Sequence, residues 1–150
     1  MEFYEIKQLY LNYNKICNIN ELEFCKFDSL EILELVDNKI SDITVLKKVN
    51  FKKLKVLNLS WNKITDITVL AEVKFDELNI LDLGDNKISD ITVLEKVNFK
   101  QLKELYLYSN QINDIIIFKN TIFNKLIYLD LENNSFNKDI FSSIIELNIY

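Results

Sequence analysis

The side chains with the most chemical potential in this chain are carboxylates. Asp82 and Asp85 stand three residues apart and could mimic the acid pair of a glycosidase. Asp42, Asp66, Asp90 and Asp114 recur at one interval. That column need not be a metal site, because each Asp precedes a turn where it can accept backbone N–H groups as an N-cap. Other means of catalysis are scarce. The 150 residues contain no His, no Arg, no Pro and a single glycine, Gly84. Without His the chain lacks the commonest general base and metal ligand. Without glycines it cannot build a phosphate cradle or a nucleophile elbow. Cys17 and Cys25 are too few for a disulfide framework, and two separated thiols cannot complete a metal site. Cys25 takes the place of Val49 and Val73 as a small core residue, while Cys17 replaces Ser41 and Thr65 at a turn and is expected to be exposed. No catalytic residue, metal or cofactor is expected.

The elements that would carry these side chains are set out by an internal repeat. Asn14, Asn38, Asn62, Asn86, Asn110 and Asn134 recur every 24 residues without slippage. Leu9, Leu33, Leu57, Leu81, Leu105 and Leu129 precede them by five positions, and Leu11, Leu35, Leu59, Leu83, Leu107 and Leu131 by three. Ile or Phe follows two positions on, and a Phe column (Phe27, Phe51, Phe75, Phe99, Phe123) closes the unit. The L-x-L part alternates with period two, as a short strand with one buried face does. The I-x-D-I-x-x-L-x-x-V part, spaced by three and four, predicts a helical turn on the same core. The Asn column falls where the chain leaves the strand, and a buried amide there can satisfy backbone groups of its own turn and of the neighbouring coil.

The motif L-x-x-L-x-L-x-x-N, six times at one spacing, resembles the leucine-rich repeat family over essentially the whole chain. The I-x-D-I-x-x-L continuation looks like the short repeats of bacterial internalins and phosphatase regulatory subunits, lengthened by two residues. It departs from the plant type, which carries G-x-I-P. The resemblance implies an α/β solenoid of six coils, with a parallel sheet on a concave face and helical or 3₁₀ turns on the convex face. The repeats fall at about 6–29, 30–53, 54–77, 78–101, 102–125 and 126–150, in one domain. Repeat one has Asn18 and Asn20 where later repeats have Asp and Thr, so it is expected to act as an N-terminal cap. Repeat six loses the pattern after Phe136, placing Asp139 and Ser142 in core columns. Phe141, Ile144, Ile145 and Leu147 are expected to fold back as a makeshift cap.

Repeats two to four share N-K-I-[ST]-D-I-T-V-L on the outer side, whereas their strand positions differ, so specificity is expected in the strand columns. Four columns should project from the concave face. They are Gln8, Ile32, Val56, Ile80, Glu104, Tyr128; then Tyr10, Glu34, Asn58, Asp82, Tyr106, Asp130; then Asn12, Val36, Ser60, Gly84, Tyr108, Glu132; and Tyr13, Asp37, Trp61, Asp85, Ser109, Asn133. These positions hold seven acids, six of the eight Tyr and Trp residues, and none of the 18 lysines. An acidic, aromatic hollow suits a Lys/Arg-rich protein partner, by steering and by cation–π contact. The expected partner-binding residues are Tyr10, Tyr13, Glu34, Asp37, Asn58, Trp61, Asp82, Asp85, Glu104, Tyr106, Tyr108, Tyr128 and Asp130. The outer lysines Lys39, Lys63 and Lys87 read as a solvated face.

The net charge of -5 argues against nucleic acid as the main partner. No small-molecule substrate is expected. The first residues, Met1-Glu2-Phe3-Tyr4-Glu5, have acids where a secretory signal carries bases, and no long apolar run follows. These features predict a cytoplasmic module without membrane contact, acting as a protein-interaction scaffold. The rival expectation is an assembly module, a monomer or a weak end-to-end associate that stacks through its ends. A third is the substrate-recognition part of a larger complex or effector.

Overall fold

The computed structural model describes residues 4–119, 123–137 and 139. Each repeat contributes one three-residue strand: β1 (Gln8–Tyr10), β2 (Ile32–Glu34), β3 (Val56–Asn58), β4 (Ile80–Asp82), β5 (Glu104–Tyr106) and β6 (Tyr128–Asp130). They form one parallel sheet in sequence order. The register is the sequence period itself, so that Leu33 faces Leu57 and Leu57 faces Leu81. Successive coils therefore stack at about 4.8 Å, the spacing of paired strands. The return leg of each coil carries a 3₁₀ turn: Asn20–Phe24, Thr44–Lys47, Thr68–Ala71, Thr92–Glu95 and Ile116–Lys119. Where the spacing left helical or 3₁₀ geometry open, the structure takes the shorter form. No helix among the described residues is long and apolar enough to cross a membrane.

The core is a set of columns. Leu33, Leu57, Leu81 and Leu105 on the strands meet Ile43, Ile67, Ile91 and Ile115 from the return legs, all nearly or fully inaccessible. Beneath them the phenylalanines stack coil on coil, Phe27 to Phe51 at 6.1 Å between ring centres and Phe51 to Phe75 at 6.3 Å. Such stacking gives each apolar side chain a neighbour of its own kind above and below, so no single coil buries its face unaided.

The Asn column closes the coils. Asn62 Nδ2 donates to the carbonyls of Leu59 (3.1 Å) and Ser60 (3.1 Å) in its own turn and of Leu35 (2.9 Å) in the preceding coil. Its Oδ1 accepts the amide of Ile40, also in the preceding coil, at 2.9 Å. Asn38, Asn86 and Asn110 repeat the pattern and are likewise buried. Asn14 stands in the first coil, is exposed, and reaches the carbonyls of Leu11 and Asn12 alone.

The Asp column acts one residue earlier than an N-cap. The residue preceding each 3₁₀ turn is an isoleucine with no side-chain bond of its own. Asp42, Asp66, Asp90 and Asp114 instead accept the amide two positions on, at 2.7–2.8 Å, which is an Asx-turn. Those amides hold the Asp42 and Asp90 carboxyls below their ordinary range, assisted by the hydroxyls of Thr44 and Thr92. Asn18 plays the same part in the first coil, bonding the Asn20 amide at 2.7 Å. In this turn, then, repeat one is built like an internal coil. Its exposed side shows instead in half-buried Leu9, Leu11, Ile16 and Cys25. Cys17 is exposed, as its turn position required. Asp139 is exposed, while Ser142 and the cap residues Phe141, Ile144, Ile145 and Leu147 lie outside the described residues.

Stacking identical coils sets like charge on like charge, as in the Lys39, Lys63, Lys87 and Asp42, Asp66, Asp90 columns, but several other columns alternate in sign. Repeats two and four resemble each other most closely, and repeat three between them changes the sign of several columns: Asp28, Lys52, Asp76, Lys100, or Lys48, Glu72, Lys96. The contacts follow. Lys55 meets Glu31 at 2.7 Å, Lys48 meets Glu23 at 2.9 Å and Lys47 meets Glu72 at 3.3 Å, each pair joining adjacent coils. Solvent weakens these exposed pairs, but the opposite arrangement would repel at every level.

The contrast within the Asn column is testable. Asn86→Ala leaves the buried Ile64 amide without its acceptor and removes the side-chain donor from the Leu59, Leu83 and Gly84 carbonyls, of which Gly84 keeps the Trp61 amide. It should cost about 3 kcal/mol, against under about 1 kcal/mol for Asn14→Ala. Urea denaturation of the two variants measures the difference, and equal losses would contradict this role for the ladder.

Candidate functional site

The sheet face opposite the core carries the four variable columns, and the structure divides them into groups. Near the middle, Tyr108 lies flat across the strands. A Cβ at Gly84 would overlap the Tyr108 ring, so the chain's one glycine makes room for a phenol from the next coil. The ring covers Gly84 and Ser60, and both are buried. These two third-column positions were expected to project into solvent. They do not, because the small residues form the floor on which the ring rests. Burial raises the Tyr108 phenol's pKa, as does the Asp82 charge, while the side chains of Ser60 and Trp61 beside its oxygen pull the other way.

Asp82 sits under this cover. Its carboxylate accepts the Gly84 amide at 2.9 Å. Burial pushes the carboxyl up, against the hydrogen bonds of Gly84, Asn58 and Ser60, and the Asp130 charge adds to the rise. The same Asx device recurs on this face. Asn58 Oδ1 accepts the Ser60 amide at 3.0 Å and Asp130 accepts that of Glu132 at 3.0 Å, whereas in repeat two, where Glu34 stands, the Val36 amide is met from the preceding coil by Asn12 Oδ1 at 2.8 Å. Repeat five has Tyr106 where an Asx would stand, and among the described residues the Tyr108 N–H finds no acceptor. In repeats three, four and six the matching amide is bonded to a column-two side chain of this face.

A second group lies toward β6. Tyr106 and Tyr128 pack at 5.1 Å between ring centres, tilted by 41°. The Tyr106 hydroxyl donates to Glu104 Oε2 at 2.8 Å. Burial, then that bond and the Glu104 charge, push the Tyr106 phenol up to about 12. At the other end, Tyr10 and Tyr13 are 53% and 76% exposed and stand two coils from Trp61. Glu34 is tied by Asn12 Nδ2 at 2.7 Å.

The fourth column is a left-handed turn throughout, with φ between 51° and 58° at Tyr13, Asp37, Trp61, Asp85, Ser109 and Asn133. Asp, Ser and Asn tolerate that region, but Tyr13 and Trp61 are bulky and occupy it at a cost of about 1–2 kcal/mol. The four short polar residues in the column carried the signal for this turn in the sequence. Trp61 is 53% exposed, held by its amide to Gly84 O at 2.9 Å and by its carbonyl to the Asn38 amide at 3.2 Å. Asp37 and Asp85 flank it in the same column, one coil away on each side. The four columns also have a border of a different charge. The position before column one holds Lys7, Glu31, Lys55, Asn79, Lys103 and Ile127, so lysines return at the edge of the acidic field.

This architecture is shared with known proteins. Family models for leucine-rich repeats match residues 28–72, 52–96 and 125–147. Internalin C2 from Listeria monocytogenes is similar with a TM-score of 0.74 at 30% identity, covering 89% of this chain and 54% of that one. An internalin, inlF, of the same organism is similar at 0.62 and 28% identity, with 89% and 44% covered. A plant peptide hormone receptor, RGFR1, solved in complex with RGF2, shares the fold at 0.68 and 24% identity, over 91% of this chain and 22% of that one. The chain thus spans about half the length of the internalin structures it resembles. A search of curated proteins finds no match.

Two outcomes follow from this geometry. Because the Tyr106 phenol is raised from 10.0 to about 12, its protonated form stabilises the fold fully below pH 10, and that contribution is lost as the pH rises toward 12. Ultraviolet titration of Glu104→Gln should find this phenol ionising at lower pH than in the parent. Gly84→Ala should lift the Tyr108 ring off the sheet with the fold retained. Loss of nuclear Overhauser contacts between that ring and Ser60 would report the move, and unchanged contacts would contradict it.

Proposed function

The chain belongs to the leucine-rich repeat family, and from that premise we propose that it is a non-catalytic protein-interaction module whose concave sheet face takes a partner with a basic patch. The repeats supply a scaffold in which strand columns vary freely, because the core, the Asn ladder and the Asx-turns use other positions. One observation carries the reading: the face opposite the core gathers seven acids and six of eight Tyr and Trp residues, and lacks lysine. Aromatic side chains bury large area at small rotamer cost, and an acidic field raises the on-rate of a cationic partner. Trp61, Tyr106, Tyr108 and Tyr128 are the proposed anchors, with Asp37, Asp82, Asp85, Glu104 and Asp130 setting orientation. Tyr10, Tyr13, Glu34 and Asn58 extend the surface toward the first coil. A protein of this kind also fits as the recognition part of a larger complex.

A second reading has its own observation. The first coil presents half-buried Leu9, Leu11 and Ile16, with Asn14 lacking the partners its counterparts find in a preceding coil. An end of this kind favours weak stacking of one solenoid on another. Sedimentation at rising concentration separates the two: a constant monomer mass removes the stacking reading.

Affinity capture from a lysate of the source cells tests the first reading. The parent is compared with a variant carrying Trp61→Asn, Tyr106→Ala and Tyr108→Ala. Asn is chosen at 61 because Asn133 already holds the same left-handed turn. Trp61→Asn alone should keep stability within about 1 kcal/mol of the parent, since relief of the turn offsets part of the lost burial. A protein captured by the parent should be absent from the folded variant. Identical capture by both baits would remove the concave face as the binding surface.

A further inference from the structure

The aromatic and acidic residues around Trp61 are arranged for one kind of side chain. We infer that the sheet face takes an extended, arginine-bearing segment of its partner that crosses the strands, with one guanidinium stacked on Trp61 between Asp37 and Asp85. This rests on the concave-face reading and narrows it from a basic patch to a linear, arginine-specific element.

The charge alternation between coils creates the arrangement. Trp61 belongs to an odd repeat and the two aspartates to even ones, so the backbone of an acid stands one coil, about 4.8 Å, to either side of the Trp61 backbone along the stack. No ion pair or side-chain hydrogen bond engages the Asp37 or Asp85 carboxylate among the described residues. The indole is half exposed and its backbone occupies a strained turn. A planar guanidinium can stack on an indole and direct N–H groups outward to carboxylates at both ends. A compact ammonium keeps the cation–π attraction but has no plane to stack and no in-plane fork of donors to reach both carboxylates at once.

The open Tyr108 N–H supplies the second contact. It lies two coils from Trp61, roughly 10 Å along the stack. About three residues of extended chain span that distance. A main-chain carbonyl can therefore meet the Tyr108 amide while an arginine a few residues away rests on Trp61. Beyond the turn, Lys15, Lys39, Lys63 and Lys87 form a row that repels a basic segment, and on the other side stand Lys7, Lys55 and Lys103. The cation-accepting strip between these rows runs along the stack, which is why the segment crosses the strands.

The chain's single Trp is the reporter. A Gly-Ser peptide with three arginines, one at every third residue, is titrated while Trp61 emission is followed, alongside matched lysine and citrulline peptides. The arginine peptide should give a saturable change, the lysine peptide should bind about tenfold more weakly, and the citrulline peptide should not bind. The Asp37→Asn, Asp85→Asn double variant should lose about tenfold in affinity for the arginine peptide and show a shallower salt dependence. Amide chemical-shift mapping accompanies the titration. Shifts on the sheet face that are equal for arginine and citrulline overturn this inference and leave the concave reading standing. Shifts confined to the convex side overturn both. Absence of saturable arginine binding up to millimolar peptide overturns this inference, and the concave reading is then decided by the capture comparison.

Discussion

Everything in this molecule hangs on the buried side-chain amide that ties each coil to the one before it. A coil of 24 residues with one three-residue strand cannot satisfy its own turn, because the chain leaves the strand at a sharp angle inside the core. Water cannot reach those carbonyls and amides, and leaving them unpaired would cost more than a marginal fold can bear. Asn suits the position because its short side chain donates two protons and accepts on its oxygen, so one residue meets carbonyls of two coils and an amide of the second. Among the described residues no buried side-chain nitrogen or oxygen is left without a partner. The chain achieves its turns almost without glycine because these bonds hold the backbone where glycine would otherwise be needed.

Once coil stacking is secured this way, the remaining surface is governed by what one level does to the next. Exact repetition suits apolar columns, where leucine on leucine and phenylalanine on phenylalanine fill space efficiently. It is poor for charges, which a parallel register brings to about 4.8 Å from their copies. Alternation of sign relieves that in some flank columns, as where Glu31 meets both Lys55 and Lys7. On the sheet face the same alternation has a different effect. It interleaves acids with Trp61, Asn58 and Tyr106, so that within each column carboxylates are separated by an aromatic or neutral residue. The arrangement limits self-repulsion of the acids while leaving their combined field to act over a Debye length of about 8 Å at physiological salt.

The site also shows how strain and openness collect at the positions that vary. Trp61 and Tyr13 stand in left-handed turns that short polar residues fill at other levels. Tyr106 displaces the Asx that would close the Tyr108 amide. Tyr108 occupies space released by Gly84. Each departure from the repeat lowers local consistency and exposes something usable: an indole, a backbone donor, a phenol face. Deviations of this kind fall where a scaffold can spare them, since the core columns and the Asn ladder run past them unchanged.

Much of this was legible in the linear chain. Six-fold spacing without slippage determined the strands, the core columns and the role of the Asn column, while the parallel order of the strands came from the resemblance to the leucine-rich repeat family. The columns facing solvent followed from the two-residue alternation of a strand. What the chain could not disclose were relations between side chains of different coils that break the period. That Tyr108 lies down over Gly84 and Ser60 depends on the volume left by two neighbours. That the Asp column caps through an Asx-turn, one residue before the N-cap, depends on backbone angles at the intervening isoleucine. The unpaired amide at Tyr108 is visible once every other partner has been assigned. Periodicity is a property of residue type and spacing, and the sequence carries it whole; the occupancy of space and of hydrogen-bonding capacity between levels is a property of three-dimensional packing, and only the tertiary structure decides it.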